Sequence, residues 1–166
     1  MEILKTATEW AKSEVFSSLF FVLFGVMFVV ATIGFWQLGK TDIAKAFIYP
    51  TLVSGILLLV LGFGLFFTNK ARITSFPEAY KQDATAFVEK EISRTEQSIG
   101  EYQVSVFVVI PLIIVVAALL IIFIDKPIWR AISVTTLALM IVIQLVDNNA
   151  HARLKDYHQA LVASEK

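Results

Sequence analysis

ITSFPEAYKQDATAFVEKEISRTEQSIGEYQ, running from Ile73 to Gln103, is a long polar stretch flanked on each side by a pair of apolar runs. Ser75 and Glu78 stand three apart with Pro77 between them. That is capping-box spacing, in which the serine oxygen accepts from a free backbone amide and the glutamate reaches back. Proline suits a first turn because its missing N–H has no partner there. Apolar residues then recur at Phe76, Tyr80, Ala84, Phe87, Val88, Ile92, Ile99 and Tyr102. Steps of three and four fit a helix and not a strand. Lys81, Asp83, Glu89, Lys90, Arg94 and Glu96 occupy the other face. Glu78 with Lys81, and Glu91 with Arg94, are spaced to pair along the helix. Gly100 is the expected place for a kink or an end.

The spacing therefore predicts one amphipathic helix over 74–103. Its apolar stripe either packs on the chain's own helices or docks a partner protein, with Phe76, Tyr80, Phe87 and Arg94 as contact residues. Lying on lipid is disfavoured. Acidic residues outnumber basic ones here, and anionic lipid attracts basic faces.

Working outward, four apolar runs appear: Val15–Leu38, Ala46–Thr68, Val104–Ile124 and Ile128–Val146. About 20 apolar residues suffice to cross a bilayer. The chain as a whole is 57% hydrophobic and 17% charged. Soluble domains average about 45–50% apolar and about 25% charged, so the excess is a membrane signature. The expected fold is all-α: an integral membrane four-helix bundle, two transmembrane hairpins joined by a cytoplasmic amphipathic helix, in one membrane domain over 1–166. A polar tail, Met1–Glu14, precedes the first span, and another, 147–166, follows the last.

Small residues let helices approach closely in lipid. Gly25 and Gly34 in the first span, and Gly55 and Gly62 in the second, are the expected packing positions. Pro50 falls in a first turn, whereas Pro111 lies inside the third span and should kink it. Asp125-Lys126-Pro127 is a tight turn. Ser133, Thr135 and Thr136 are expected to bond to their own helix or a neighbour.

Ten Lys and Arg residues lie on the tails and central segment, against four in the two short turns. The positive-inside rule then places both termini and the central helix in the cytoplasm. Trp36, Tyr49 and Trp129 fall at the outer edge, and Trp10 and Tyr102 at the inner edge, where aromatic belts sit.

Chemistry-bearing motifs are few. There is no cysteine, which excludes disulfides and thiol chemistry. A formal net charge of +0 gives no support to nucleic-acid binding. No ionisable residue lies in the middle of any span, where ion pathways and proton relays usually display one. No phosphate loop, H-E-x-x-H or G-x-S-x-G is present. Asp147 and His151 are four apart, a spacing that can hold a divalent metal, but a juxtamembrane helix turning polar explains them as well. No enzyme activity, cofactor or dedicated metal is expected.

The pattern Phe76-x-x-Ala79-Tyr80-x-x-Asp83-x-x-x-Phe87-x-x-x-Glu91-x-x-Arg94-x-Glu96, followed by two spans with the turn Pro127-Ile128-Trp129-Arg130 and a tail rich in Asp, Asn, His and Arg, resembles a type of small bacterial membrane protein. The likeness covers roughly the second half of the chain and implies no catalytic residues. In architecture the chain is also similar to the four-span immunity proteins that protect bacteria from pore-forming toxins. That resemblance implies a non-enzymatic inner-membrane protein that neutralises a membrane-inserting toxin by binding it. The alternatives are an accessory subunit of an envelope complex, or a small homo-oligomeric channel lined by Ser133, Thr136 and Gln144. Membrane lipid is a partner in every case.

Overall fold

Helix length sets the architecture. In the computed structural model, which describes Glu2 to Glu165, the first helix α1 (Glu2–Leu38) has 37 residues. Met1 and Lys166, the latter counted in the charge balance, lie outside the described residues. A short α2 (Asp42–Ala46) leads into α3 (Ile48–Gln82), of 35 residues. Then come α4 (Ala84–Val104), a π-helical turn (Ser105–Val109) and α5 (Ile110–Phe123). The last helix, α6 (Pro127–Glu165), has 39 residues. The described residues contain no strand. Four helical stretches are long and apolar enough to cross a membrane.

At about 1.5 Å per residue, α1, α3 and α6 each exceed about 50 Å, while a hydrocarbon core is only about 30 Å thick. Their polar ends must therefore project. Those ends, together with α4, form a second bundle. Ala7, Trp10 and Ala11 of α1, Phe76 of α3, Phe87 and Val88 of α4, and Leu154, Tyr157 and Leu161 of α6 make its core. The two polar tails expected from the sequence are thus helix ends packed inside the protein. Trp10, placed by sequence at the membrane edge, is buried in this core.

The central segment is two helices and not one. α3 runs through Ser75 and Pro77 without stopping. Ser75 Oγ bonds back to the Arg72 carbonyl instead of capping. A proline inside a helix gives up one backbone bond, and here the helix that tolerates it delivers Phe76 to the core. The break falls at Asp83, whose backbone is extended (φ −155°, ψ 105°). Asp83 Oδ1 accepts from the Ala86 N–H at 3.0 Å, so it is the N-cap of α4. The chain reverses there, and Phe76 and Tyr80 meet Phe87 edge-on, with ring centroids 5.3 and 5.7 Å apart.

Gly100 lies within α4, and the irregularity comes later. Pro111 cannot donate to the carbonyl four residues back, and its ring crowds that carbonyl. The chain answers with the π turn, in which the Ile110 N–H reaches the Ser105 carbonyl.

In the apolar half, α1 and α3 pair along a 3.5-residue seam. Ala7, Ala11, Ser18, Phe21, Gly25 and Thr32 of α1 are buried at steps of three, four and seven. Gly55, Gly62, Asn69 and Phe76 of α3 are buried exactly seven apart, which is a coiled-coil repeat. A Cβ on Gly62 would stand 2.9 Å from the Val22 backbone nitrogen, and one on Gly55 3.1 Å from the Gly25 carbonyl oxygen. A Cβ on Gly25 would meet Leu59 at 2.8 Å. Gly34, expected at a helix contact, instead faces open space, with nothing within 4 Å. Thr32 and Thr51 join hydroxyls at 2.8 Å near the far end of the seam.

α6 closes on this pair through Phe21, Leu58, Leu139 and Val142. Ser133 and Thr135 are buried on it, but contrary to expectation neither hydroxyl has a hydrogen-bond partner among the described residues. α5 stands apart. It packs on α6 and on the π turn that leads into it, and not on α1 or α3.

Candidate functional site

Charge enters the projecting bundle in an ordered way. Glu91 is buried, 5% exposed, and Arg94 grips it with Nε to Oε1 at 2.9 Å and Nη2 to Oε2 at 2.6 Å. The Tyr157 hydroxyl donates to the same Oε2 at 3.0 Å. Tyr157 also stacks on Trp10, with centroids 4.9 Å apart and planes 14° from parallel. The Arg94 guanidinium stands 4.7 Å over the Trp10 ring, and that of Arg72 5.6 Å. Burial and the neighbouring Glu91 push the Tyr157 phenol well above its usual range, so it stays a donor. α1, α3, α4 and α6 are thereby pinned around one indole. On the next turn, Thr95 and His158 Nδ1 meet at 2.8 Å.

Just toward the membrane from this cluster lies a pocket of about 310 Å³. That is within the size of small-molecule sites, about 300–1,000 Å³. All four long helices line it. α1 contributes Trp10 and Glu14, α3 contributes Leu65, Asn69 and Arg72, and α6 contributes Asp147. α4 adds Arg94, Ser98, Glu101 and Tyr102, and the π turn adds Ser105. Leu65 and Ser105 belong to the ends of apolar runs, so the pocket sits at the level where the chain changes from apolar to polar.

Its charges are unequally satisfied. Glu14 is held by Arg153 at 3.0 Å, although burial still raises its pKa above the ordinary value. Arg94 belongs to Glu91. Arg72 donates Nη1 to Asn69 at 2.7 Å and has no acid within ion-pair distance among the described residues. Burial, and then Arg94 beside it, lower its pKa. Asp147 likewise has no ion pair among the described residues, and burial with Glu14 nearby pushes its carboxyl up to about 6. Burial and these two carboxylates raise the Tyr102 phenol as well.

The residues singled out from sequence are placed differently from one another. Phe76 and Phe87 are core residues, Tyr80 packs on Phe87, and Arg94 is committed to Glu91. The stripe faces the chain's own bundle. Asp147 faces the pocket, whereas His151 is wedged against the rings of Tyr102 and Phe107, with centroids 5.7 and 5.4 Å away. Among the described residues, no three His, Asp or Glu side chains converge as a metal site would require. Sequence reading missed Arg72, Asn69, Glu14 and Tyr157. For Glu14, Asn69 and Arg72 the signal available was a polar residue within one turn of the end of an apolar run, but which of them meet depends on helix pairing.

No protein-family model, curated protein or solved structure matches this chain.

Proposed function

We propose that the protein is a non-enzymatic membrane protein that works by binding another protein within the bilayer. In this reading it sits in the bacterial inner membrane with both termini cytoplasmic, an orientation that the excess of Lys and Arg on the tails and central segment supports. In its most specific form this is an immunity protein, which occupies the hydrophobic helices of a membrane-inserting toxin.

The attachment of α5 carries the reading. α1, α3 and α6 pack on one another, but α5 is held by α6 alone. Of its residues only Ile110 and Ala117 are buried. Leu112, Val115, Leu119 and Ile122, continued by Val108 of the π turn, form an exposed stripe at steps of three and four. Membrane helices associate by close packing, not by escape from water, and this stripe is free to pack. Gly25 of α1 and Gly55 and Gly62 of α3 are consumed by the pairing of those two helices, which leaves α5 as the proposed contact.

The test is site-specific photo-crosslinking in native membranes from Val115, with the still more exposed Val60 on α3 as the control. One dominant protein captured from Val115 and not from Val60 is the expected result. Capture of lipid alone at both positions overturns the reading. Capture of the chain by itself replaces it with a self-assembling bundle. The immunity form fails separately if a strain carrying the toxin gene survives equally well without this protein.

A further inference from the structure

The pocket at the level of the membrane boundary carries a charge pattern that the protein does not satisfy internally. A guanidinium (Arg72) and a carboxylate (Asp147) line the same cavity of about 310 Å³ without pairing. Both side chains are half-buried, and withdrawing a single charge from water is unfavourable unless a partner arrives. The protein keeps both here, apart, on α3 and α6.

Donors collect at one side. Arg72 uses only Nη1, leaving Nε and Nη2 without acceptors among the described residues. Arg94 uses Nε and Nη2 on Glu91, leaving Nη1. Both stand over Trp10, whose own indole N–H is buried with no acceptor among the described residues. Glu91 and Glu14 lie near enough to offset part of this positive charge, and Glu101 also lines the pocket, but none of their oxygens reaches the free N–H groups of Arg72. Arginine forks of this kind suit phosphate oxygens. The other side, with Asp147 near Glu14 and Tyr102, is short of a cation.

We propose that this pocket binds a phosphate ester bearing a primary amine, the phosphate at Arg72 and Arg94 and the ammonium at Asp147, presented as the head group of a zwitterionic phospholipid. Two observations favour a lipid over a soluble ester. The pocket's lower edge, Leu65 and Ser105, lies at the ends of apolar runs, the depth of lipid phosphates. Below it α5 does not close against α3, which leaves room for acyl chains to descend. The inference does not depend on the α5 stripe, which faces away from the bundle.

The test uses the full-length chain, purified in mild detergent, delipidated and titrated while bound species are read by native mass spectrometry. The probes are phosphatidylethanolamine, phosphatidylglycerol and phosphatidic acid of one chain composition, together with soluble phosphoethanolamine and inorganic phosphate. Phosphatidylethanolamine should bind at least about tenfold more tightly than the other two lipids. Asp147→Asn should abolish that preference while leaving phosphatidylglycerol unchanged. Arg72→Gln should weaken all three lipids. Equal affinity for the lipids in the unaltered protein overturns the proposal without recourse to any variant. A preference that survives Asp147→Asn removes the amine site. Soluble phosphoethanolamine binding as tightly as the lipid overturns the membrane source.

Discussion

The Tyr157 hydroxyl donates to Glu91 Oε2 at 3.0 Å, across 66 positions of sequence. This bond ties α6 to α4 at the centre of the projecting bundle, where Glu91 is already gripped by Arg94. Removing only the hydroxyl, in Tyr157→Phe, keeps the stack on Trp10 and should cost about 1.5 kcal/mol, the low end for a hydrogen bond to a charged group. Glu91→Ala leaves Arg94 without its acid. Breaking a buried pair costs about 3–5 kcal/mol, and the 24% exposure of the Arg94 side chain puts this case at about 3. Thermal unfolding in detergent should rank the two variants in that order. A Glu91→Ala protein as stable as the parent would show that the network is not what holds the bundle.

The α1–α3 seam gives a sharper contrast. A methyl on Gly62 would press on the Val22 backbone nitrogen at 2.9 Å, a contact that only helix separation can relieve. Overpacking of this kind costs about 1–3 kcal/mol, so Gly62→Ala should lower the unfolding midpoint. Gly34→Ala meets nothing within 4 Å and should leave it unchanged. Both substitutions raise helix propensity equally, so a difference between them reports packing. Equal midpoints would mean that the helices do not approach closely at Gly62.

The apolar runs made the spans legible, because charge-free length alone decides what can cross a bilayer. The seam was half legible: Gly55 and Gly62 share a face by spacing, but Gly34 looks the same in sequence and is open in space. The turn at Asp83 was obscured by a stronger local signal. Ser75, Pro77 and Glu78 have the spacing of a helix start, yet burying Phe76 against Phe87 requires α3 to continue past them. Tertiary packing overrode a local cap. The pocket was illegible for a different reason. Arg72 and Asp147 are 75 positions apart, and only the pairing of helix ends brings them to one cavity.

Asp147 should leave a pH signature. Its folded-state pKa, pushed up to about 6, lies above the ordinary value of 3.8, so the folded protein holds this proton more tightly than the unfolded chain. Its contribution to stability is therefore fully present below 3.8 and is lost as pH rises through about 6. The groups facing it are Glu14, itself raised by burial, and Tyr102, with Arg72 and Arg153 farther round. The unfolding midpoint of the parent, minus that of Asp147→Asn, should fall across this window and be flat above it. A difference that rises with pH would mean that the carboxylate is stabilised in the fold, and that Asp147 has found a cation.

Orientation can be read directly because the chain has no cysteine, so each one introduced is unique. Glu89 on α4 and Ser164 near the end of α6 are exposed on the projecting bundle. Thr41 before α2 and Lys126 before α6 are exposed at the opposite ends of the spans. Among the described residues, nine of the thirteen Lys and Arg lie on the bundle side, and segments rich in these residues are retained in the cytoplasm. A membrane-impermeant thiol reagent applied to intact spheroplasts should modify Thr41→Cys and Lys126→Cys, and reach Glu89→Cys and Ser164→Cys only after lysis. The reverse pattern would invert the protein. It would also move the boundary pocket, with Arg72 and Asp147, from the inner leaflet to the outer one. The lipids available to it would then be those of a different surface.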